Sequence, residues 1–409
     1  MATHKTRLQP SRGPESTEHT DRTQRAACVA TDNTLHILFI APAPRAGTLQ
    51  YTHNLADALA RRGHRVTVAT GIGFELHAYR KAYEVHEVFD GLRPRPWRLL
   101  GFFWRYVAHA PHIVHFQGAQ SPLIYVILWA LLRLIGSATF VYTPQDVLPN
   151  TTRRYHRTAL RFLYTKMRHV YLNAKQNESL VVEHFHVPPH RITVLPIADL
   201  TAFVRDSGEC TPPDLPPDRT VVLCFGLIEP RKGIDTLLAA VPDIIRQKPN
   251  ALILIVGKPL MDVTPHQRLI AEQHLHDHVH LRPGYVDFGE MAGYFAAAHM
   301  LVLPYESGWN SGVLASAFGF GKPVVATRVG GFDEVIVDGD TGLLVPPRDP
   351  ASLAHAIVRM LHDKPLYAHM IQRVRETATA ISWDAIAERT ERSYMNVTES
   401  LSGAVSQTR

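Results

Sequence analysis

The residues of this chain whose types and spacing suit chemistry gather first between Met300 and Arg348, in MLVLPYESGWNSGVLASAFGFGKPVVATRVGGFDEVIVDGDTGLLVPPR. Met300–Pro304 is an apolar run without polar alternation, the pattern of a parallel strand buried on both faces, and a polar, glycine-bearing loop follows it. Ser311 is placed to cap a helix over Val313–Phe320, Gly321 to end that helix, and Pro323 to open the apolar strand PVVATRV. Such a crossover sets the amides of Ser311, Gly312 and Val313 at a helix N-terminus on the carboxyl edge of a sheet. Unpaired N–H groups and the helix dipole there favour a phosphate. An ordinary α/β crossover with a well-made cap has the same pattern, so the assignment needs a second, matching feature.

That feature is the loop LIEPRKG after the strand TVVLCFG (Thr220–Gly226), which puts Arg231 and Lys232 at another strand-to-helix turn. Two loops of the first half are built alike. PAPRAGTLQ brings Gly47 and Thr48 to a helix start without a G-x-G-x-x-G dinucleotide fingerprint, and TPQDVLPN presents Gln145 and Asp146 at a strand's carboxyl end, where open α/β sheets hold ligands.

The positioning elements alternate throughout. LHILFIA (Leu35–Ala41), helical spacing over Gln50–Arg62, a stop at Gly63 and RVTVAT form one βαβ unit, and HIVHF, ATFVY and RITVLP continue it. A second series runs through TVVLCFG, ALILIVG and VHLRPGY into the stretch described above. The 409 residues divide accordingly into a polar leader at 1–33, an α/β domain at 34–200 and a Pro-rich linker at 201–219. A second α/β domain follows at 220–380, then a helix at 381–398 with a return to the first domain as one placement, and a tail at 399–409. Two doubly wound, Rossmann-like domains facing across a cleft are the economical fold.

Composition narrows the classes. Hydrophobic residues are 45% and charged residues 20%, which supports sizeable cores. The longest apolar run, Leu123–Leu132, is far short of the roughly 18 residues a spanning helix needs. The leader lacks the apolar centre of a secretory signal, and Cys28, Cys210 and Cys224 share no metal-like spacing, so a cytoplasmic protein with reduced thiols is expected. The net charge of +6 concentrates in two basic, aromatic-bearing segments, 93–106 and 151–169, which are candidates for peripheral membrane contact or for plain solvated faces. No nucleic-acid module is present, and nucleic acid is not expected as a partner.

FGLIEPRKG (Phe225–Gly233), RPGY (Arg282–Tyr285), the LPYE…SG…GKPVVATRVGGFDEVIVDGDTGLLVPP pattern within Leu301–Pro347 and SWDAIAERT together resemble the family 4 retaining glycosyltransferases of the GT-B fold. NLADALARRGHRVTV and PHIVHFQG resemble that family's first helix, second strand and Pro-Asp-x-x-His segment. The resemblance implies that 220–380 binds a nucleotide-sugar and 34–200 an acceptor, that a hexose passes to an acceptor hydroxyl with retention, and that neither metal nor cofactor is needed, the nucleotide-sugar being the substrate. It implies Arg231, Lys232, Ser311, Gly312 and Val313 at the donor diphosphate, Glu334 elsewhere at the donor, Gln145 and Glu306 about the reacting sugar, and Gly47 and Thr48 on the acceptor side. The acceptor class, whether lipid-linked sugar, glycan or small molecule, is not implied.

The chain also departs from the family. Members with two glutamates eight positions apart are matched by Gly308 and Ser316, so Ser311-Gly312 points to a subgroup with Ser-Gly in place of that pair. Gln145 stands for a histidine; it can donate and accept hydrogen bonds but cannot take a proton near neutral pH. Leu227 stands for an arginine, and Ile197-Ala198 for a His-Gly pair. These losses motivate a rival reading, a catalytically weakened nucleotide-sugar-binding or scaffold protein on the same fold. Asp338-Gly339-Asp340 reads as a turn, and the alternating His274, His276, His278 and His280 run across a helix end into a strand start, so neither reads as a metal site.

Overall fold

The computed structural model describes residues 34–90, 96–119, 122–147, 154–308 and 311–406. The leader at 1–33 and parts of both basic segments, 93–95 and 151–153, lie outside the described residues.

The first lobe is built on seven parallel strands. They are β1 (His36–Ala41), β2 (Arg65–Gly71), β3 (Glu84–Phe89), β4 (Ile113–Gln117), β5 (Thr139–Thr143), β6 (His169–Leu172) and β7 (Ile192–Val194), in spatial order β3-β2-β1-β4-β5-β6-β7. Helices α1 (Gly47–Arg61), α2 (Pro96–His109), α3 (Pro122–Ile135), α4 (Arg154–Lys166) and α5 (Gln176–Phe185) lie between strands in the chain. Every residue of β1, β4, β5 and β6 is buried, as continuous apolar runs in a doubly covered sheet require.

A short helix, α6 (Ala202–Ser207), falls inside the stretch read as linker. Beyond it the chain crosses the second lobe, with Thr211 N donating to Gly289 O at 3.0 Å.

That lobe has six parallel strands, β8 (Thr220–Phe225), β9 (Ala251–Gly257), β10 (Val279–Pro283), β11 (Met300–Leu303), β12 (Val324–Thr327) and β13 (Gly342–Val345), in order β10-β9-β8-β11-β12-β13. Its helices are α7 (Ile234–Gln247), α8 (Thr264–Glu272), α9 (Phe288–Ala297), α10 (Gly312–Gly319), α11 (Phe332–Val335), α12 (Pro350–His362) and α13 (Lys364–Ala380). Local chemistry starts several of them: Asp287 and Glu290 form a reciprocal capping box on α9, and Asp349 caps α12 just before Pro350.

The strand order reverses direction between β1 and β4 in one sheet and between β8 and β11 in the other. Crevices for ligands open at such points, outside the carboxyl ends of the strands.

The final helix, α14 (Trp383–Ser406), packs on α1 of the first lobe. The Trp383 and Tyr51 rings meet edge to face at 5.1 Å, and Trp383 Nε1 donates to Asp199 O at 2.7 Å. Tyr394 OH lies 2.5 Å from the Nδ1 of buried His115. The lobes also share apolar core, since Leu49 and Phe203 pack in one cluster with Leu314 and Phe318. Among the described residues no helix is long and apolar enough to cross a membrane.

Candidate functional site

The four loops that leave the two reversal points carry most of the expected residues. Gly47 and Thr48 follow β1, and Gly118 follows β4 with Thr48 against it. Arg231 and Lys232 follow β8 in a 3-10 turn, Pro230–Lys232, and Glu306 to Val313 follow β11. Gly233 ends the 3-10 turn at φ 66°; a side chain there would strike Pro304 O, so only glycine lets the two loops touch.

A chain of polar contacts ties these loops together. Lys232 is 8% exposed, and its Nζ donates to Tyr305 OH at 2.5 Å while lying 3.8 Å from the centre of the same ring. Tyr305 OH is 3.2 Å from Ser311 Oγ, which also accepts from Leu314 N at 3.3 Å as the N-cap of α10. A lysine ammonium can only donate, and Tyr305 is 1% exposed, so the phenolic proton is left to Ser311 Oγ. With that oxygen already accepting twice, the serine proton is free to be donated outward. The first-turn amides of Gly312 and Val313, without intrahelical acceptors, point the same way. The result is a group of donors and one ammonium at a helix N-terminus, a setting for anionic oxygens.

The first lobe meets this group directly. Leu200 sits between Gly47 and Gly312, and a Cβ on Gly312 would come within 2.4 Å of Leu200 Cδ1. The starts of α1 and α10, one from each lobe, therefore face each other across a single leucine. Arg231 pairs with Glu229 at 2.7 Å, and its charge is felt by Asp146 across the cleft. The Asp146 carboxyl faces solvent but is hemmed in by protein, which pushes it above the usual carboxylate range while Arg231 pulls it back.

Gln145, beside it, adopts φ 63°, a left-handed conformation uncommon outside glycine, and its Nε2 is buried without a partner. A left-handed backbone and an unsatisfied amide at one residue make Gln145 a candidate ligand position.

Glu306 and Glu334 are engaged elsewhere. The Glu306 carboxylate accepts from Arg348 Nε at 2.8 Å and lies 2.7 Å from its Nη2, while Glu306 N donates to Arg231 O at 2.8 Å. Glu334 does not join the Lys232–Ser311 group: its carboxylate accepts from the main-chain amides of Lys175 and Gln176 at the start of α5, each at 2.7 Å.

Two residues escape the sequence reading. Tyr305 opens the polar loop after Met300–Pro304, where nothing in its type or spacing points to a bond with Lys232. Asn173, at the carboxyl end of β6, is 7% exposed with both amide atoms unpartnered. The signal for it was position alone, a polar residue following a buried strand.

The other candidate features are accounted for by local pairing. Asp340 bonds His369 and Arg373, and Asp338 pairs with Arg328. Among the described residues no three His, Cys, Asp or Glu side chains stand together as metal ligands. A cavity of about 900 Å³ opens beside the contact of α1 with α14, lined by residues such as His53, Asp199, Arg205 and Trp383. None of the ten expected site residues lines it, so the candidate site rests on the convergence of loops and not on that cavity.

Comparison with known proteins places both halves. Residues 219–363 match a family model described as Glycosyl transferases group 1, and residues 46–198 one described as Glycosyltransferase Family 4. The D-inositol 3-phosphate glycosyltransferase 2 of Catenulispora acidiphila is 32% identical over 56% of this chain and 56% of its own. The phosphatidyl-myo-inositol mannosyltransferase of Mycolicibacterium smegmatis is 34% identical over 46% of each. The chain thus spans about half the length of the curated relatives it matches. Among solved structures, sucrose-phosphate synthase from Thermosynechococcus elongatus has a TM-score of 0.69 at 24% identity, over 90% of this chain and all of that one. Anabaena HepE in complex with UDP has a TM-score of 0.68 at 17% identity, over 88% of this chain and all of that one. Both likenesses concern the two-lobed GT-B fold.

Proposed function

We propose that this chain is a family 4 glycosyltransferase that transfers a hexose from a nucleotide-diphosphate sugar to an acceptor hydroxyl with retention of anomeric configuration and without a metal. The observation that carries the reading is the Lys232–Tyr305–Ser311 chain at the start of α10. As the glycosidic bond breaks, negative charge gathers on the departing diphosphate, and preorganised donors in a site shielded from water stabilise that charge. Lys232 and Arg231 would neutralise it, and Ser311 Oγ with the Gly312 and Val313 amides would hold its oxygens.

On the opposite lobe, Gln145 would fix the sugar through hydrogen bonds, and Gly47 with Thr48 would border the acceptor. Because Gln145 cannot act as a base, the departing phosphate itself would take the acceptor proton, consistent with retention. Lobe closure around Leu200 would keep out water, which otherwise consumes the donor. In this reading Glu306 needs release from Arg348 before it can reach the sugar. UDP and UDP-glucose are bound by the structurally similar HepE, which makes uridine nucleotides the first to try.

The test is a thermal-shift screen of nucleotides and nucleotide-sugars on the wild type and Lys232→Ala, followed by product analysis with candidate acceptors. Nucleotide stabilisation lost in Lys232→Ala is expected. An equal response in the variant would remove Lys232 from the donor site. Binding with neither transfer nor slow donor hydrolysis would favour the binding-protein reading, which the missing glutamates at Gly308 and Ser316 motivate.

A further inference from the structure

Nine of the thirteen large hydrophobic side chains that the described residues leave exposed stand on two helices, α2 and α3. On α2 they are Trp97, Leu100, Trp104 and Val107, spaced three, four and three apart on one face. The opposite face of α2 is apolar as well, with Phe102 and Tyr106 in the core of the first lobe. Helix α3 repeats the arrangement: Leu123, Ile127 and Leu134 are exposed, and Tyr125, Leu128 and Leu132 are buried. The two helices adjoin, since Tyr106 packs on Gly136 just past the end of α3. A helix that is apolar all round belongs under cover, and a contiguous apolar surface of this kind marks an interaction site.

Charge selects the cover. From Gly91 to Asn177 the sequence has twelve lysines and arginines and one acid, Asp146, so this stretch carries +11 in a chain whose total is +6. Arg105 on α2 is exposed, and Arg133 on α3 lies close enough to Tyr106 to influence its hydroxyl. Helix α4 packs against α3 through Trp129 and Phe162, whose rings are 5.1 Å apart, and exposes Arg157 and Arg161. A second copy of the chain would set one cationic face against another.

An anionic, apolar-cored surface matches both properties. At fourteen residues, each helix is about 21 Å long, too short to span a bilayer but suited to lying in its interface, with tryptophans at headgroup depth.

We infer that the α2–α3 face docks on the anionic surface of a lipid bilayer. Helices α2, α3 and α4 all follow strands of the first sheet and begin at its carboxyl edge, the edge that carries Gly118 and Gln145. Docking there holds the mouth of the cleft next to the lipid. The inference goes beyond the proposed transfer and does not depend on it.

The experiment is co-sedimentation of the full chain with vesicles of pure phosphatidylcholine and with vesicles containing roughly one-third phosphatidylglycerol, at low and high salt. Binding should rise about tenfold or more with the anionic lipid, fall at high salt, and shift tryptophan emission to shorter wavelength. Leu100→Glu/Trp104→Glu should lower binding about tenfold or more while keeping the wild-type melting temperature and nucleotide response, because both side chains are exposed and outside the donor group. Equal binding to both vesicles, or to neither, would overturn the proposal. So would a wild-type dimer that the double variant abolishes, which would show that the face is covered by a second copy.

Discussion

Glu334, in the second lobe, accepts a hydrogen bond from the main-chain amide of Gln176, in the first, at 2.7 Å. Its other oxygen takes the amide of Lys175 at the same distance, so one carboxylate caps a helix that begins in a different lobe. Glu334→Ala should therefore loosen the closed arrangement, increasing the radius of gyration in scattering, at a stability cost of about 1 kcal/mol. Nucleotide-induced stabilisation should persist in this variant and vanish in Lys232→Ala. If both variants lose it alike, Glu334 touches the donor, as its position after the glycine pair implies.

Tyr305→Phe keeps the ring against Lys232 but removes the hydroxyl that joins it to Ser311. The expected cost is about 1 kcal/mol in stability, with donor affinity falling about 3- to 10-fold. Tyr305→Ala, which empties a buried site, should instead cost about 3–5 kcal/mol. Calorimetric titration of both variants with the stabilising nucleotide decides the matter; unchanged affinity in Tyr305→Phe would leave the phenol a purely structural role.

Gln145→Gly removes both the left-handed strain and the amide. Stability should rise by about 1 kcal/mol while the transfer rate falls tenfold or more, separating the two roles of the residue. Urea denaturation and initial rates test it, and an unaltered rate would take Gln145 out of the reaction centre.

Three buried histidines make the protein sensitive to acid. Burial lowers His53 to about 4, His115 to about 3 and His169 to about 4. In the unfolded chain they titrate near 6.5, so between pH 6.5 and 4 the unfolded state binds more protons and stability falls as pH falls. The loss from pH 6.5 to 5 should be on the order of 1 kcal/mol per histidine. His115→Gln should flatten that dependence by its own share, even though it disturbs the contact with Tyr394. A pH profile of urea midpoints identical to the wild type would show that His115 is not held neutral by the fold.

Much of the architecture was legible because its causes are local. Apolar runs such as Ala251–Gly257 are buried strands whatever surrounds them, and the spacing from Ser311 to Gly321 specifies a capped and terminated helix from eleven consecutive residues. The positions of Gly47, Gln145, Lys232 and Ser311 after strands likewise put them at carboxyl edges. Tyr305 was not legible, since an aromatic residue opening a polar loop gives no sign of its partner until the loop carrying Lys232 is folded over it. Asn173 was not legible either, because being unpartnered is a property of everything around a side chain.

What the sequence alone determined is therefore the alphabet of strands, caps and turns, with the edge on which each polar loop emerges. Only the tertiary structure decided which loops meet. It placed Leu200 between Gly47 and Gly312, put the Glu334 carboxylate on amides some 158 residues away in the chain, and folded α14 back so that Tyr394 reaches His115. The physical reason is range: capping, turn chemistry and periodicity act within a few residues, whereas these contacts depend on how two sheets are closed against each other, which no local pattern encodes.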